Sequence, residues 1–256
     1  MKPYQNLLIA LSSAVLLGGC ASNAQRAPIA ADPLEGLNRT LFGVHEGIDK
    51  VALKPLAQGY DAAVPLPAKM SIGNFFGNFR GVAQSGNAFL QGKGEEGANG
   101  LARLFINSTL GIFGLFDVAS EMGLYEGEED FGQTLAVWGV PSGPYLFVPL
   151  LGPNTGRDLA GWSVDQYVNP LWHQVDDQPA LRNSLTGVSA AHLRAGLLPA
   201  DQLVEEAALD KYAYIRAAYL QRRASLVRDG KPGAAEDEEN VPVYEPAVEP
   251  TSTSAE

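Results

Sequence analysis

The sequence predicts a mainly α-helical protein whose helices are largely amphipathic. Apolar residues recur three or four positions apart, beginning with Leu34, Leu37, Leu41, Val44 and Ile48. Glycine recurs at every fourth position from Gly73 to Gly81. Downstream of residue 20, no segment reaches the roughly 18 consecutive apolar residues that a bilayer-spanning helix needs. We therefore expect helices that bury one face each.

The first helix is predicted to start within residues 32–35, Asp-Pro-Leu-Glu. Asp32 suits the N-cap, Pro33 suits the first helical position, and Glu35 stands where the acid of a capping box belongs. The apolar stripe then continues to Ile48. Pro55 and residues 65–67, Pro-Leu-Pro, are predicted to break the chain before the next helix.

Residues 71–81, SIGNFFGNFRG, predict a helix with three different faces. At about 100° per residue, the glycines share one sector, Asn74 and Asn78 lie beside it, and the phenylalanines cover much of the opposite side. Because glycine ridges let helices approach closely, the ridge is predicted to be a helix–helix contact. The aromatic face is either ordinary core or a surface for lipid tails and neighbouring helices.

The remaining segments complete a domain predicted to span residues 32–230. Residues 101–119 are apolar, with interruptions by polar residues and glycine. Residues 138–156, WGVPSGPYLFVPLLGPNTG, contain too much proline and glycine for a long helix and predict a loop or hairpin. Residues 181–198 and 200–228 return to helical periodicity, as two segments separated at Pro199.

The N-terminus resembles a bacterial lipoprotein signal. Residues 1–19 hold a short charged start and an apolar run, and Leu-Gly-Gly-Cys ends at Cys20. The resemblance implies that Cys20 becomes the lipidated first residue of the mature protein, and Ala21 favours the outer membrane. The alternative is a plain secretory signal with an incidental cysteine. As the chain's only cysteine, Cys20 also excludes a disulfide framework.

Both ends of the domain are predicted to be unstructured. Residues 20–31 are small and polar, as in a flexible tether. Residues 231–256 hold seven acids, four prolines and no basic residue after Lys231, which predicts a disordered acidic tail. The net charge of −11 argues against nucleic acid as a partner and against electrostatic docking on anionic lipid.

No sequence pattern indicates catalysis, a metal site or a cofactor. The chain has no Gly-x-Ser-x-Gly elbow, His-Glu-x-x-His pair or phosphate-binding Gly-x-x-x-x-Gly-Lys loop. His173, close to Asp176 and Asp177, is predicted to make ordinary loop hydrogen bonds, and Arg157 and Asp158 a local ion pair. We therefore expect a protein that is not an enzyme.

Five motifs, in order, resemble the MlaA (VacJ) lipoprotein family. They are residues 32–42 (DPLEGLNRTLF), 74–79 (NFFGNF), 103–119 (RLFINSTLGIFGLFDVA), 129–158 (with EDFGQTL, GPY, PLLGP and RD) and the late helix at 210–223. The resemblance covers about residues 32–228, nearly all of the predicted domain.

The resemblance implies a ring of helices seated in the periplasm-facing inner leaflet of a Gram-negative outer membrane. Members of the family are often bound to trimeric porins. A polar channel takes misplaced phospholipids from the outer leaflet to a soluble periplasmic phospholipid carrier, without catalysis or cofactor, and so maintains lipid asymmetry. A hairpin loop near the channel influences passage, and its counterpart here is Trp138, Gly139, Val140, Pro141, Ser142, Gly143, Pro144 and Tyr145.

The residues predicted to line the channel are Asn74, Asn78 and Asn107. An equally open alternative is that their amides satisfy hydrogen bonds between helices. For the whole protein, the alternative is an envelope scaffold lipoprotein that binds porins without moving lipid. A polar lining inside an apolar ring would favour the channel. A phospholipid hydrolase is a further alternative, but it lacks a nucleophile motif.

Overall fold

The computed structural model of the protein describes residues 32–231. The predicted signal at residues 1–19, the tether with Cys20 at residues 20–31 and the acidic tail from residue 232 onward lie outside the described residues. These three assignments stay predictions.

The described chain is mainly helical with one small antiparallel hairpin, which confirms the predicted mainly α-helical fold. In chain order the elements are α1 (Glu35–Ile48), a π-helical segment (Asp49–Leu53), α2 (Lys54–Ala63), α3 (Leu66–Leu90), α4 (Gly94–Thr109), α5 (Val118–Glu121), α6 (Phe131–Val137), β1 (Tyr145–Val148), β2 (Gly152–Thr155), α7 (Gly156–Val168), α8 (Pro170–Gln174), α9 (Pro179–Ala207) and α10 (Lys211–Val227).

Helix α1 begins at the last residue of the predicted start segment 32–35, two residues after Pro33, the predicted first helical position. Its first residue is Glu35, with Leu34 at the N-cap position and no side-chain cap. Asp32 and Pro33 therefore precede the helix. Glu35 does not close a capping box and instead pairs with Arg39 one turn later, at 2.8 Å. The predicted capping box is therefore wrong, although the Asp32 carboxylate does accept the backbone N–H of Leu34 at 3.1 Å, in addition to its tertiary contacts.

Asp32 and Asn38 form a buried polar link between α1, the hairpin and α10. Asn38 is completely buried. Its Nδ2 donates to Asp32 Oδ1 and to the carbonyl of Tyr145, both at 3.0 Å, while its Oδ1 accepts from the backbone N–H of Phe147 at 2.9 Å. The hydroxyl of Tyr212 donates to Asp32. These bonds hold the hairpin beside an apolar cluster of Tyr145, Phe147 and Tyr212.

Pro55 and Pro199 do not interrupt the helices, contrary to the sequence prediction. Residues 35–63 are helical throughout, with a π-helical change of register and then Pro55 in the first turn of α2, where proline is tolerated. Pro199 lies inside α9. Helix α9 packs along α2, and this contact supports a helix that local propensity alone would end. The break falls at residues 208–210 instead.

The interior of the described domain is unusually polar, and much of its surface is apolar. The buried apolar residues are most often alanines, whereas the largest completely buried side chains are Gln133, Asn38 and Thr134. Large apolar side chains lie outside, among them Val51 at 80% and Phe113 at 70% exposure. Water disfavours this distribution, so an apolar environment around the helices is indicated. Within residues 32–231, no helix combines the length and apolar character that crossing a bilayer requires.

Candidate functional site

A polar cleft of about 270 Å³ lies between α3 and α4. A further side is closed by Asp117, Glu126, Gly127 and Glu129. The α3 wall includes the bare backbone of Gly73, Gly77 and Gly81. Most of the remaining lining residues offer amide, hydroxyl or charged groups, namely Asn74, Asn78, Gln84, Ser85, Asn107, Arg80, Glu96, Arg103, Asp117, Glu126 and Glu129.

All three asparagines that were predicted to line a passage reach this cleft. Asn78 is buried and its Nδ2 donates to Ser108 Oγ at 3.0 Å. Asn74 is half-buried and its Nδ2 donates to the carbonyl of Leu115 at 3.4 Å. The amides therefore both border the cleft and make hydrogen bonds, from Asn78 to helix α4 and from Asn74 to the turn after α4. Their role in lipid passage stays a prediction.

Asn107 fixes the start of α5 against α4. Its Nδ2 donates to Asp117 Oδ1 at 3.0 Å, and its Oδ1 accepts from the backbone N–H of Ala119 at 2.9 Å. Asn107 is 5% exposed, so both polar ends of a nearly buried amide are satisfied.

Arg103 and Asp117 form an ion pair in the cleft that the sequence analysis did not predict. The buried guanidinium of Arg103 donates to both carboxylate oxygens of Asp117, at 3.0 and 3.1 Å, and to Ser120 Oγ at 2.9 Å. Burial alone would raise the pKa of Asp117, but hydrogen bonds from Ser120, Asn107 and Arg103 hold this pKa below its ordinary value. The sequence did contain a signal for this ion pair, because Arg103 lies inside an apolar segment, where a buried charge needs a partner.

The glycine ridge of α3 borders the cleft and is not a close helix–helix contact, contrary to the prediction. A Cβ at Gly81 would meet nothing within 4 Å, and one at Gly77 would lie 3.6 Å from Oε1 of Glu126. Only Gly73 lies close to another helix, where a Cβ would be 3.1 Å from the ring of His192 in α9. The missing side chains therefore keep one wall of the cleft open.

Close packing of α3 against α4 depends on other glycines. A Cβ at Gly97 would collide with the ring of Phe89, and a Cβ at Gly100 would collide with the side chain of Ser85. Each pair joins positions on different helices, so a spacing pattern within one segment could not reveal it.

Comparison with known proteins identifies the family to which this geometry belongs. The MlaA lipoprotein family matches residues 30–226. The chain belongs to this family. The match covers the described domain almost from end to end and confirms the resemblance that the five motifs carried.

Relatives and a solved structure agree with this assignment. The intermembrane phospholipid transport system lipoprotein MlaA of Escherichia coli K12 is 34% identical over 220 residues, which are 84% of this chain and 86% of the relative. The protein of the same name from Haemophilus influenzae is 32% identical over 245 residues, 93% and 96% of the two chains. A structure reported as a structural basis for maintenance of bacterial outer membrane lipid asymmetry matches with a TM-score of 0.68 at 35% identity, covering 77% of this chain and 99% of that one.

The segment predicted to correspond to the MlaA hairpin loop is mostly an irregular loop. Trp138 is the C-cap of α6, residues 139–144 are exposed, and only Tyr145 belongs to a strand, opposite Thr155 of β2. The β-hairpin itself is residues 145–155, so residues 138–156 do form the predicted loop and hairpin. None of residues 138–145 lines the cleft. An influence of this loop on passage therefore stays a prediction.

The turn that follows α4 presents apolar side chains to the outside of the molecule. Each of Leu110, Ile112, Phe113 and Phe116 is more than half exposed. Ile112 and Phe113 adopt positive φ angles of 51° and 55°, which costs about 1 kcal/mol or more for each such residue. Asn107 of this MlaA motif and Asn74 of α3 hold the turn from its polar side, through Asp117 and the carbonyl of Leu115. One short segment therefore joins a polar cleft to an apolar surface.

Proposed function

We propose that the protein is an outer-membrane lipoprotein that removes mislocalised phospholipids from the outer leaflet through a polar channel and passes them to a soluble periplasmic carrier. This activity would maintain the lipid asymmetry of the outer membrane. The observation that carries the proposal is the polar cleft inside a helical domain with an apolar exterior. The family is a transport family whose relatives are named for intermembrane phospholipid transport, so no chemical reaction is proposed.

The cleft suits the polar part of a phospholipid. A volume of about 270 Å³ lies just below the roughly 300 Å³ at which small-molecule sites begin. It admits a headgroup with some water but not two acyl chains, which would stay along the apolar exterior. Without polar partners, each amide- or hydroxyl-like group that enters hydrocarbon loses about 2–7 kcal/mol. Amides and charges on the walls would replace the lost hydration and lower this barrier.

The apolar exterior supports a position within one leaflet. Val51, Leu66, Phe105 and Phe113 are all more than two-thirds exposed. Because no described helix is suited to span a bilayer, we place these side chains among acyl chains of the inner leaflet, with lipidated Cys20 as the anchor. A trimeric porin is the proposed neighbour in the membrane, and the periplasmic carrier receives the lipid.

A non-transporting scaffold that binds porins is the second candidate, and the exposed apolar side chains are the observation that favours it. A scaffold, however, has no need for a polar cleft whose wall is kept open by glycine. The cleft therefore favours transport, and a cell-based measurement separates the two functions.

The test measures phospholipid exposed in the outer leaflet of cells that lack the protein, before and after complementation. The wild-type gene should restore asymmetry, while Cys20→Ala, which loses the anchor, and Gly77→Leu, which fills the cleft, should not. Gly86→Leu is the matched control, because Gly86 lies on the same helix, faces open space and does not line the cleft. Unchanged surface phospholipid together with altered porin assembly would establish the scaffold instead.

A further inference from the structure

The cleft contains three charged side chains that no opposite charge in the described domain neutralises. They are Arg80, Glu96 and Glu126, all exposed to solvent and none within ion-pair distance of a partner in residues 32–231. The other charges on the walls pair with one another or with Lys93, at 2.7–3.0 Å. The fold therefore leaves one cation and two anions available to a ligand.

Arg80 and Glu126 border the same small space. A Cβ at Gly77 would lie 3.8 Å from Nη2 of Arg80 and 3.6 Å from Oε1 of Glu126. The two side chains do not form an ion pair with each other, although both are this close to one point. A ligand group that enters beside Gly77 would therefore meet a guanidinium and a carboxylate together.

This arrangement of charge matches a zwitterion better than a net anion. A guanidinium binds phosphate oxygens through two parallel hydrogen bonds. The carboxylates would repel a second negative charge but attract a positive one. A headgroup that carries a phosphate and a cation a few bonds apart satisfies both groups, whereas a phosphate with an uncharged alcohol leaves two acids without a partner.

The residues that line the cleft also indicate which type of ammonium group the headgroup carries. Quaternary ammonium groups are typically held by aromatic rings, and no aromatic side chain lines the cleft in the described part of the chain. A primary ammonium instead donates three hydrogen bonds, and carboxylates are its natural acceptors.

We propose that the cleft selects phospholipids with a zwitterionic, primary-ammonium headgroup, with Arg80 on the phosphate and Glu126, assisted by Glu96, on the ammonium. This inference rests on the proposed transport function and names its substrate class. It predicts discrimination against both glycerol-type anionic headgroups and trimethylammonium headgroups.

The test is competitive lipid binding to the full lipidated protein. The purified protein in detergent is mixed with equimolar phosphatidylethanolamine, phosphatidylglycerol and phosphatidylcholine of identical acyl chains, and bound lipids are counted by native mass spectrometry. We expect about five times as much bound phosphatidylethanolamine as either of the other lipids. This ratio corresponds to the upper end of the free energies measured for exposed ion pairs. Water-soluble glycerophosphoethanolamine should compete only weakly, because it lacks the acyl chains that the apolar exterior receives.

Single substitutions test which residues are responsible for the headgroup selectivity. Glu126→Gln should bring the ethanolamine-to-glycerol ratio close to one while total lipid binding is kept, and Arg80→Gln should weaken binding of all three lipids. Glu95→Gln is the matched control, because Glu95 is an exposed neighbour of Glu96 on the same helix and does not line the cleft.

Equal binding of the three lipids by the wild-type protein, or an unchanged ratio in Glu126→Gln, would overturn the inference. If cells still depend on the protein for lipid asymmetry, the transport function survives that result. Tight binding of glycerophosphoethanolamine with no lipid bound would identify a soluble ligand and overturn the lipid assignment. Clear selectivity in a protein that cells do not need for asymmetry would instead overturn the transport function alone.

Discussion

Asn38 shows how a single buried amide can decide the position of a whole element. Its side chain is completely buried and satisfies one carbonyl and one N–H of strand β1 together with the carboxylate of Asp32. A buried backbone group without a partner is costly, so the hairpin is held where Asn38 can reach both of its polar atoms.

We predict that Asn38→Ala destabilises the protein by about 3 kcal/mol, because the substitution leaves the N–H of Phe147 and the carbonyl of Tyr145 without their side-chain partner. Chemical denaturation in detergent, followed by circular dichroism, measures the change. Asn183→Ala, an exposed asparagine on α9, is the control and should change stability by less than about 0.5 kcal/mol. A loss in Asn38→Ala no larger than the control's would contradict this role.

The pair of helices α3 and α4 uses glycine for two different purposes. At Gly77 and Gly81 the missing side chain leaves the cleft open, whereas at Gly100 it allows the two helices to touch. The same residue type therefore serves a binding surface on one helix and packing on its neighbour.

Replacing single glycines by alanine, which adds one methyl group, tests where the two helices are in contact. We predict that Gly100→Ala destabilises the protein by about 1–3 kcal/mol, because its Cβ would collide with Ser85 and overpack the α3–α4 contact. Gly86→Ala should instead stabilise it by up to about 1 kcal/mol, since the site is open and alanine favours a helix. Thermal unfolding of both variants measures the difference. Equal stability of the two would show that the helices are not in contact at Gly100.

At the scale of the whole molecule, a partly buried ionic cluster centred on buried Asp158 joins α6, α7 and α10. Arg223 contacts Asp130 at 2.5 Å and Asp158 at 3.0 Å, and the hydroxyl of Tyr219 donates to Asp158 at 2.7 Å. The local pair of Arg157 and Asp158 that the sequence predicts is confirmed, at 2.9 Å, as one part of this cluster. Ion pairs to Arg223 therefore connect three parts of the chain that are distant in sequence.

The cluster makes stability depend on pH in a defined direction. Burial alone would raise the pKa of Asp130 and of Asp158, but Arg223 holds both pKa values below their ordinary range. The stability that they contribute is present above the unfolded-state pKa near 3.8 and is lost as the pH falls through the folded values.

We predict that Arg223→Ala costs about 3 kcal/mol at neutral pH, because buried Asp158 and half-buried Asp130 lose their shared cation. It should also move the acid-unfolding midpoint up by about one pH unit, since the pKa of both acids rises. Arg222→Ala is the matched control, because the Arg222 side chain is 73% exposed and its one ion pair in the described residues, with Glu128, is long at 3.8 Å and therefore weak. Acid titration of both variants, followed by circular dichroism, tests this. An unchanged midpoint in Arg223→Ala would refute the assignment.

The sequence by itself determined the features that depend on near neighbours along the chain. Helical periodicity is local, so the helical character of residues 35–48 and 71–81 could be read directly. Proline and glycine likewise indicated the loop and hairpin near Tyr145. The five motifs indicated the family, and Asn74, Asn78 and Asn107 indicated polar groups that do reach one cleft.

Only the tertiary structure decided which of these residues meet. Pro199 stays within a helix because α9 packs on α2, and the Asp32 carboxylate, which accepts the backbone N–H of Leu34, also binds the distant side chains of Asn38 and Tyr212. The glycine ridge faces a cleft because Gly97 and Gly100 of α4, not the ridge, provide the close contact. Contacts between distant segments have no spacing signature, since their free energy arises only after the chain has brought them together.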